Sequence, residues 1–203
     1  RWRCCDAEAV LLQYRAFSRS LTRVPILEIL RYPDTRLSKT SKDVRNIDGR
    51  VAGYLNSMVD TMYAANGIGL AAPQVGILEN AIVVDVDPEN RGKGRVKLIN
   101  PQIVESSGEI VMEEGCLSVV NFTAEIGRAR KILVRGWTSD QREIEIEAEE
   151  LAAVCIQHEI DHLHGKLLTD HISRLKRELY RKRLKRMASN DDEGSERGSG
   201  PYI

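Results

Sequence analysis

Three features are missing from this sequence, and two of these absences narrow the class of protein. In 203 residues, Lys plus Arg and Asp plus Glu are each 30, so a net charge of zero neither favours nor excludes a nucleic-acid partner. No apolar run approaches the roughly 18 residues of a membrane-spanning helix, so no membrane partner is expected. The four cysteines lack the spacing of a disulfide framework, which favours a reducing compartment.

The stretch that organises the chain is residues 157–162, which read QHEIDH. His158 and His162 are four residues apart, a spacing that stacks two imidazoles on one helix face, where they can share a metal ion. Glu159 follows the first histidine, and its carboxylate can reach a water on that ion without being a ligand. This H-E-x-x-H pattern predicts two metal ligands and a general base.

The pattern needs a third ligand, and the residues after it do not supply one. Gly165 occupies the glycine position of the longer metzincin motif, but Leu168 stands where the third histidine would be. Two cysteines upstream are candidates: Cys155, on the same helix face as the histidines, and Cys116, in a glycine-marked turn. A cysteine within an apolar run such as 151–156 is usually a small buried hydrophobe. Spacing alone does not choose between the two.

Three separated motifs resemble those of the peptide deformylase family and occur in the family's order. They are residues 67–74 (GIGLAAPQ), 114–118 (EGCLS) and 157–162 (QHEIDH). The resemblance covers roughly residues 24 to 187 and favours Cys116 as the third ligand. It implies an enzyme, a metallohydrolase that removes the N-formyl group from the initiator methionine of nascent polypeptides and releases formate.

The resemblance also implies a cofactor and a site. The cofactor would be one divalent metal ion, Fe²⁺ natively, although Zn²⁺ or Ni²⁺ suits the same ligands. Glu159 would take a proton from the attacking water, and an amide side chain and a backbone N–H would hold the oxyanion. The implied catalytic residues are Glu159, Gln74 and Leu117, and the implied metal ligands are Cys116, His158 and His162.

Binding of the methionine side chain needs an apolar cleft near these residues. The predicted substrate-binding positions are Ile68, Gly69, Gly115, Leu151 and Val154, with Cys155 beside them. Val120 and residues 121–123 (NFT) stand where family members often carry a proline and then an arginine. This departure concerns the positioning of the peptide beyond the methionine and leaves the metal chemistry unchanged.

The apolar patterns predict an α+β fold, with mostly antiparallel sheets wrapped around a central metal-binding helix at 149–165. A helix is expected at 50–65, because Val51, Leu55 and Met58 recur at helical spacing and Asp48 is a plausible N-cap. Strands are expected at 24–29, 81–86, 96–99, 131–137 and 143–147, the last two as a hairpin.

The domain itself is predicted to span 24–187. Residues 1–23 are expected to be a poorly ordered extension, and 188–203 a disordered tail rich in Asp, Ser and Gly. The expected location is the bacterial cytoplasm, or an organelle if the Arg-, Ser- and Thr-containing residues 1–23 are a transit peptide.

A second, strongly basic helix is predicted at 172–187. It carries more cations than a solvent-exposed helix face usually does, which indicates an anionic partner. The ribosome is therefore an expected partner, bound through its RNA. Its apolar stripe, expected to dock on the domain, consists of Ile172, Leu175, Leu179, Tyr180, Leu184 and Met187. Two alternative functions remain open. One is an H-E-x-x-H metallopeptidase, disfavoured by Leu168; the other is a non-catalytic ribosome-binding module, disfavoured by the intact Glu159.

Overall fold

A computed structural model describes residues 25–87 and 90–190. The predicted extension at 1–23 and residues 191–203 of the predicted tail lie outside these ranges. The described residues form three α-helices and seven β-strands, and every pair of neighbouring strands is antiparallel. The predicted α+β class is therefore confirmed. None of the described helices is both long enough and apolar enough to cross a membrane.

The seven strands form two separate sheets. In chain order they are β1 (Gly69–Ala71), β2 (Ala81–Val84), β3 (Val96–Ser107), β4 (Ile110–Cys116), β5 (Val119–Arg128), β6 (Lys131–Trp137) and β7 (Glu143–Glu149). Five of them make one sheet in the order β1-β2-β3-β6-β7, and β4 and β5 make a two-stranded hairpin.

The helices are α1 (Gly49–Ala64), α2 (Glu150–Leu163) and α3 (Arg174–Asn190). Asp48 caps α1, since its carboxylate accepts hydrogen bonds from two backbone N–H groups of the first turn at 3.0 and 3.1 Å. A short 3₁₀ helix, Ala72–Val75, follows β1. All three predicted α-helices therefore exist, with ends shifted by a few residues.

Some of the predicted strands are confirmed and others are not. The strand expected at 24–29 is wrong for its described part, because residues 25–31 join neither sheet. The strand expected to end at 99 instead continues to Ser107, since a bulge after Ile99 absorbs the residues around Pro101. Strand β5 was not predicted as a strand at all, whereas the β6–β7 hairpin is confirmed.

The five-stranded sheet is covered by a helix on each face. Alternate residues of β2 belong to different cores: Ile82 packs on the side of α2, and Val83 on the side of α1. Both faces of this strand are therefore buried, which is why its sequence AIVV has no polar alternation. Helix α2 therefore lies between the sheet and the β4–β5 hairpin.

Helix α3 packs against the hairpin through a narrower stripe than predicted. Tyr180 is only 4% exposed and shares a core with Cys116, Val119 and Ile126. Leu175 and Leu179, however, are 70% and 57% exposed, so the prediction that they dock on the domain is wrong. A helix that touches its support along one line buries only the residues facing that line.

Candidate metal centre

Helix α2 presents two histidines toward the β4–β5 hairpin. His158 and His162 lie one turn apart, and their ring centroids are 4.9 Å from each other. Both side chains are almost completely buried, at 2% and 1% exposure. The four-residue spacing read from the sequence therefore brings the two imidazoles together on one buried face.

Cys116 reaches the same point from the end of β4. The register between β4 and β5 shifts between Gly115 and Cys116, and the chain turns there. The Cys116 sulfur lies 3.3 Å from Nε2 of His162. One ligand atom from each of Cys116, His158 and His162 lies within 4.8 Å of the others, a separation at which all three could hold one ion.

The competing cysteine, Cys155, lies outside this three-residue cluster. It is fully buried, belongs to the core between α2 and the sheet, and its thiol donates to the Ile68 carbonyl at 3.6 Å. Burial raises the pKa of this thiol well above its usual value. The geometry thus groups Cys116, and not Cys155, with the histidines.

Buried polar atoms that lack a hydrogen-bond partner show whether a metal ion fits between these side chains. Nε2 of His158 is buried and has no hydrogen-bond partner among the described residues. The other nitrogen of the same ring, Nδ1, lies 2.8 Å from the Glu114 carboxylate. Buried polar atoms without partners are rare in folded proteins. A histidine that binds a carboxylate with one nitrogen and leaves the other unpaired fits a metal ligand.

Burial also sets the protonation states of Cys116 and His162. Burial raises the pKa of the Cys116 thiol to about 12. Burial lowers the pKa of His162 well below its usual value, so this imidazole stays neutral. Neutral imidazole and thiolate are the forms that bind transition metals, and a bound cation deprotonates a coordinating thiol. The residues present therefore fit Zn²⁺, Fe²⁺ or Ni²⁺.

Glu159 lies beside the cluster without belonging to it. Its side chain is fully buried, and neither carboxylate oxygen has a hydrogen-bond partner among the described residues. Burial, and then the nearby Glu114 carboxylate, raise its pKa well above the usual value. A carboxyl group in this state readily holds and returns a proton.

Gln74 faces the cluster from the 3₁₀ helix that follows β1. Its side-chain oxygen accepts a hydrogen bond from the Ala71 N–H at 2.7 Å, which braces the loop. Its side-chain nitrogen lies 3.7 Å from the Cys116 sulfur and donates to the Ser118 hydroxyl at 3.3 Å. One end of the amide therefore braces the loop, while the other points at the cluster.

Two glycines of the first motif make room for site residues. A Cβ built on Gly69 would overlap a carboxylate oxygen of Glu159 and would lie 2.8 Å from the Cys155 sulfur. A Cβ built on Gly67 would lie 2.8 Å from the side chain of Leu117. Any larger residue at either position would displace Glu159 or Leu117.

The predicted substrate-binding residues differ in exposure. Val154 and Ile68 belong to the core between α2 and the sheet, and Leu151, at the start of α2, is 36% exposed. Gly115 is buried within β4, where it pairs with Thr123.

A cavity of about 240 Å³ opens beside the cluster, and sequence reasoning did not identify most of its lining. It is lined by Ile29, Arg31, Ala65, Cys116, Leu117 and Val120.

Comparison with known proteins identifies the family. The model of the polypeptide deformylase family matches residues 26–178. The chain belongs to this family. A peptide deformylase of Thermodesulfovibrio yellowstonii is 51% identical over 160 residues, which are 79% of this chain and 97% of that protein. Another, from Pseudoalteromonas translucida, is 47% identical over 162 residues, 80% of this chain and 96% of that protein.

Solved deformylase structures share the fold. The crystal structure of a peptide deformylase from Legionella pneumophila matches with a TM-score of 0.78 and 40% identity, covering 84% of this chain and 100% of that one. A deformylase from Ehrlichia chaffeensis in complex with actinonin matches with a TM-score of 0.75 and 36% identity, covering 79% of this chain and 96% of that one. The family resemblance read from the three motifs is thus confirmed.

The main group that sequence reasoning missed in this deformylase is a buried set of charges behind His158. Arg128 donates to both oxygens of Glu114, at 2.8 and 3.0 Å, and to Asp161 at 2.5 Å. Asp161 also lies 2.8 Å from Nε2 of His171. A ligating histidine usually gives its second nitrogen to a carboxylate, so an acid such as Glu114 could have been sought. Nothing in the sequence links Arg128 to it.

Proposed function

We propose that the cluster of Cys116, His158 and His162 carries out the reaction of the family by holding one divalent metal ion. The chain is a metal-dependent hydrolase that removes the N-formyl group from the initiator methionine of nascent polypeptides and releases formate. The observation that carries the site assignment is the meeting of these three buried side chains beside Glu159. This assignment makes α2 the metal-binding helix of the H-E-x-x-H pattern.

Fe²⁺ is the native ion in this proposal, since the family resemblance implies it and the mixed sulfur and nitrogen donor set suits it. When bound, such an ion polarises the formyl carbonyl and acidifies water. His158 would hold it through Nε2, because its Nδ1 is engaged by Glu114 at 2.8 Å. The same carboxylate fixes the plane of the imidazole ring.

Glu159 acts as the general base and then as the general acid. Its carboxylate accepts a proton from the attacking water and returns it to the leaving amine of methionine. Burial raises the pKa of this group well above its usual value, which favours its holding the proton that it takes from water. Gly69 supports this role, because the space that a Cβ would fill holds the carboxylate.

Gln74 and Leu117 stabilise the charge that develops on the formyl oxygen. The side-chain nitrogen of Gln74 already faces Cys116, and its orientation is set by the bond between its oxygen and Ala71. The backbone N–H of Leu117 follows Cys116 directly. Donors fixed before the reaction need no reorganisation as the oxyanion forms, which is why they lower the barrier.

The methionine side chain lies in an apolar cleft next to these donors. Ile68, Gly69, Gly115, Leu151 and Val154 remain our predicted substrate-binding positions. Two observations support this assignment: the space that a Cβ on Gly69 would fill holds the carboxylate of Glu159, and Gly115 directly precedes Cys116.

Formate release tests the function directly. The metal-loaded protein should release formate from formyl-Met-Ala-Ser and should leave unformylated Met-Ala-Ser intact. Cleavage of the unformylated peptide without formate release would instead identify a metallopeptidase. Comparing Fe²⁺-loaded protein prepared without oxygen with Zn²⁺- and Ni²⁺-loaded protein would identify the most active ion.

The basic helix α3 supports a second element of the proposal, binding to ribosomal RNA. Lys182, Arg183 and Lys185 are exposed, and the exposed Leu175 and Leu179 lie on the same helix. Tyr180, by contrast, is buried and donates to the Val120 carbonyl at 3.1 Å. Truncation of the helix would therefore disturb the core next to Cys116, so charge reversal is the cleaner experiment.

The double variant Lys182→Glu, Arg183→Glu should keep full peptide deformylation and lose affinity for ribosomes. Each lost phosphate contact reduces the slope of log affinity against log salt by about one. Cosedimentation across a salt series measures this slope. Arg45→Glu, an exposed cation distant in sequence, is the matched control. Equal sedimentation of both variants and the parent at every salt concentration would exclude a role of α3 in RNA binding.

A further inference from the structure

The cavity beside the metal cluster contains one charged residue. Its lining consists of Cys116, Leu117, Val120, Ile29, Ala65 and Arg31, so Arg31 supplies the only charged side chain among them. A substrate that places its formyl group at Cys116 must extend its peptide chain away from the cluster. The part of the path that this cavity forms is lined by uncharged residues except at Arg31.

The backbone holds Arg31 firmly at this place. The N–H of Leu30 donates to the Gln74 carbonyl at 2.7 Å, and the N–H of Tyr32 donates to the Ser118 carbonyl at 2.8 Å. Arg31 therefore lies between two hydrogen bonds, one to each loop that carries site residues. Residues alternate sides along an extended segment, so Ile29 and Arg31 face the cavity together while Leu30 is buried.

The guanidinium group of Arg31 is available to a ligand. Arg31 is exposed, and its side chain has no ion pair or hydrogen bond within residues 25–87 and 90–190. Two acids lie three residues from Arg31 in the sequence. Glu28 makes no ion pair with it within residues 25–87 and 90–190, and Asp34 is engaged by Arg36, with a nitrogen-to-oxygen distance of 2.6 Å. That hydrogen bonding lowers the pKa of Asp34 to about 2, which shows how firmly Arg36 holds the carboxylate.

A second groove meets the cavity at the same residues. It has a volume of about 530 Å³ and shares Ile29, Arg31 and Ala65 with the cavity beside the cluster. Its lining also contains Glu28 and the paired Asp34 and Arg36, so charge selection by Arg31 concerns the cavity and not the groove beyond it. Arg31 thus marks the junction between the site and a longer path along residues 26–31 and the end of α1. An extended peptide leaving the site would pass this cation within its first residues.

We propose that Arg31 is a specificity-determining residue that pairs with an acidic side chain in the first two residues after the formylmethionine. This inference rests on the proposed function, because it takes the cluster as the place where the formyl group reacts. An exposed ion pair of this kind changes affinity by about two- to five-fold. Substrates with Asp or Glu near the start should therefore be preferred over those with Lys by that factor.

The test compares the metal-loaded parent, Arg31→Met and Arg31→Glu on two pairs of peptides. Formyl-Met-Glu-Ser and formyl-Met-Lys-Ser differ at the first residue after the formylmethionine, and formyl-Met-Ala-Glu and formyl-Met-Ala-Lys differ at the second. The parent should favour the acidic peptide of at least one pair, Arg31→Met should show a ratio near one, and Arg31→Glu should favour Lys. The change should occur in KM, because a pairing made equally in the bound substrate and the transition state leaves kcat unaltered. Arg45→Glu should behave like the parent.

A binding measurement separates this inference from the proposed function. The unformylated products Met-Glu-Ser and Met-Lys-Ser can be titrated against the same variants by calorimetry, whether or not formate is released. Two results support the inference: Arg31→Met loses the preference for the acidic product, and added salt weakens that preference in the parent. If all variants release formate with the same acidic-to-basic ratio and bind both products alike, Arg31 does not select substrates, while the proposed function stands.

Discussion

Two ion pairs in this molecule have the same shortest nitrogen-to-oxygen distance and very different surroundings. Arg128 and Glu114 lie 2.8 Å apart with side chains 7% and 0% exposed, whereas Arg135 and Glu145 lie 2.8 Å apart with side chains 48% and 47% exposed. The first pair lies behind the metal cluster, and the second lies on the β6–β7 hairpin. Distance alone would rank them equally.

Their connections explain why they differ. Burial alone would raise the pKa of Glu114, but hydrogen bonds to His158 and Arg128 outweigh it and lower the pKa below its usual value. The carboxylate thus stays charged and holds the ring of His158. The Arg135 pair orients no site residue and is screened by water. When one partner of a buried pair is removed, the charge of the other partner stays buried and uncompensated. When one partner of an exposed pair is removed, water hydrates the remaining charge.

A further buried carboxylate, Glu159, sharpens this comparison because no cation among the described residues pairs with it. Glu159→Gln removes the proton acceptor while preserving the shape of the side chain. The metal-loaded variant should lose about 10²- to 10⁴-fold in deformylation rate and should keep its metal. Formate release and elemental analysis measure the two effects. Glu149→Gln, at an exposed position, is the control, and a Glu159→Gln rate within a few-fold of the parent would exclude the base role.

Arg128→Met tests the buried pair itself. The substitution leaves Glu114 and Asp161 without their shared cation, and it should lower the free energy of unfolding by about 3–5 kcal/mol. Affinity for the metal should also fall, by about 10- to 100-fold, because the carboxylate that orients His158 loses its support. Urea unfolding and metal titration with a competing chelator measure the two losses. A variant that keeps parental values in both would show that Arg128 has no supporting role.

Gln74→Ala removes a neutral buried side chain from the same region. Deformylation kcat should fall by about 10²- to 10³-fold, the usual loss for an oxyanion donor. Gln157→Ala is the matched control, since the side chain of Gln157 binds only backbone groups, those of Ala129 at 3.0 and 2.8 Å and the Ala153 carbonyl at 2.9 Å. The control should lose stability without losing kcat. A Gln74→Ala effect confined to KM would make this residue a binding group instead.

Arg135→Met should produce the smallest effect of the series. Loss of an exposed pair costs about 0.2–1 kcal/mol of unfolding free energy, decreases with added salt, and leaves metal binding unchanged. The urea experiment that tests Arg128→Met measures it directly. Equal losses of unfolding free energy from Arg128→Met and Arg135→Met would contradict this account, because burial would then have no influence on how much an ion pair stabilises the fold.

Local rules explain which parts of the molecule could be predicted from sequence. The placement of His158 and His162 on one face follows from helical spacing, the cap at Asp48 follows from its side-chain chemistry, and the β6–β7 hairpin follows from alternation. These features depend on residues near one another in the chain.

The remaining features depend on how distant elements meet. Arg128 reaches Glu114 because of the register between β4 and β5, and it reaches Asp161 because α2 closes on that hairpin. The exposure of Leu175 depends in the same way on how narrow the contact between α3 and the hairpin is. A pattern of apolar residues shows that a helix has an apolar face, but it does not show how much of that face the rest of the protein covers.

The central claim is that Cys116 completes a metal centre with His158 and His162, and metal content tests it most directly. Cys116→Ser and Cys155→Ser change the same atom at two buried positions, only one of which lies in the cluster. Elemental analysis of the purified proteins should give close to one metal ion per chain for the parent and Cys155→Ser, and little for Cys116→Ser. Full metal in Cys116→Ser, with loss in Cys155→Ser, would contradict the assignment.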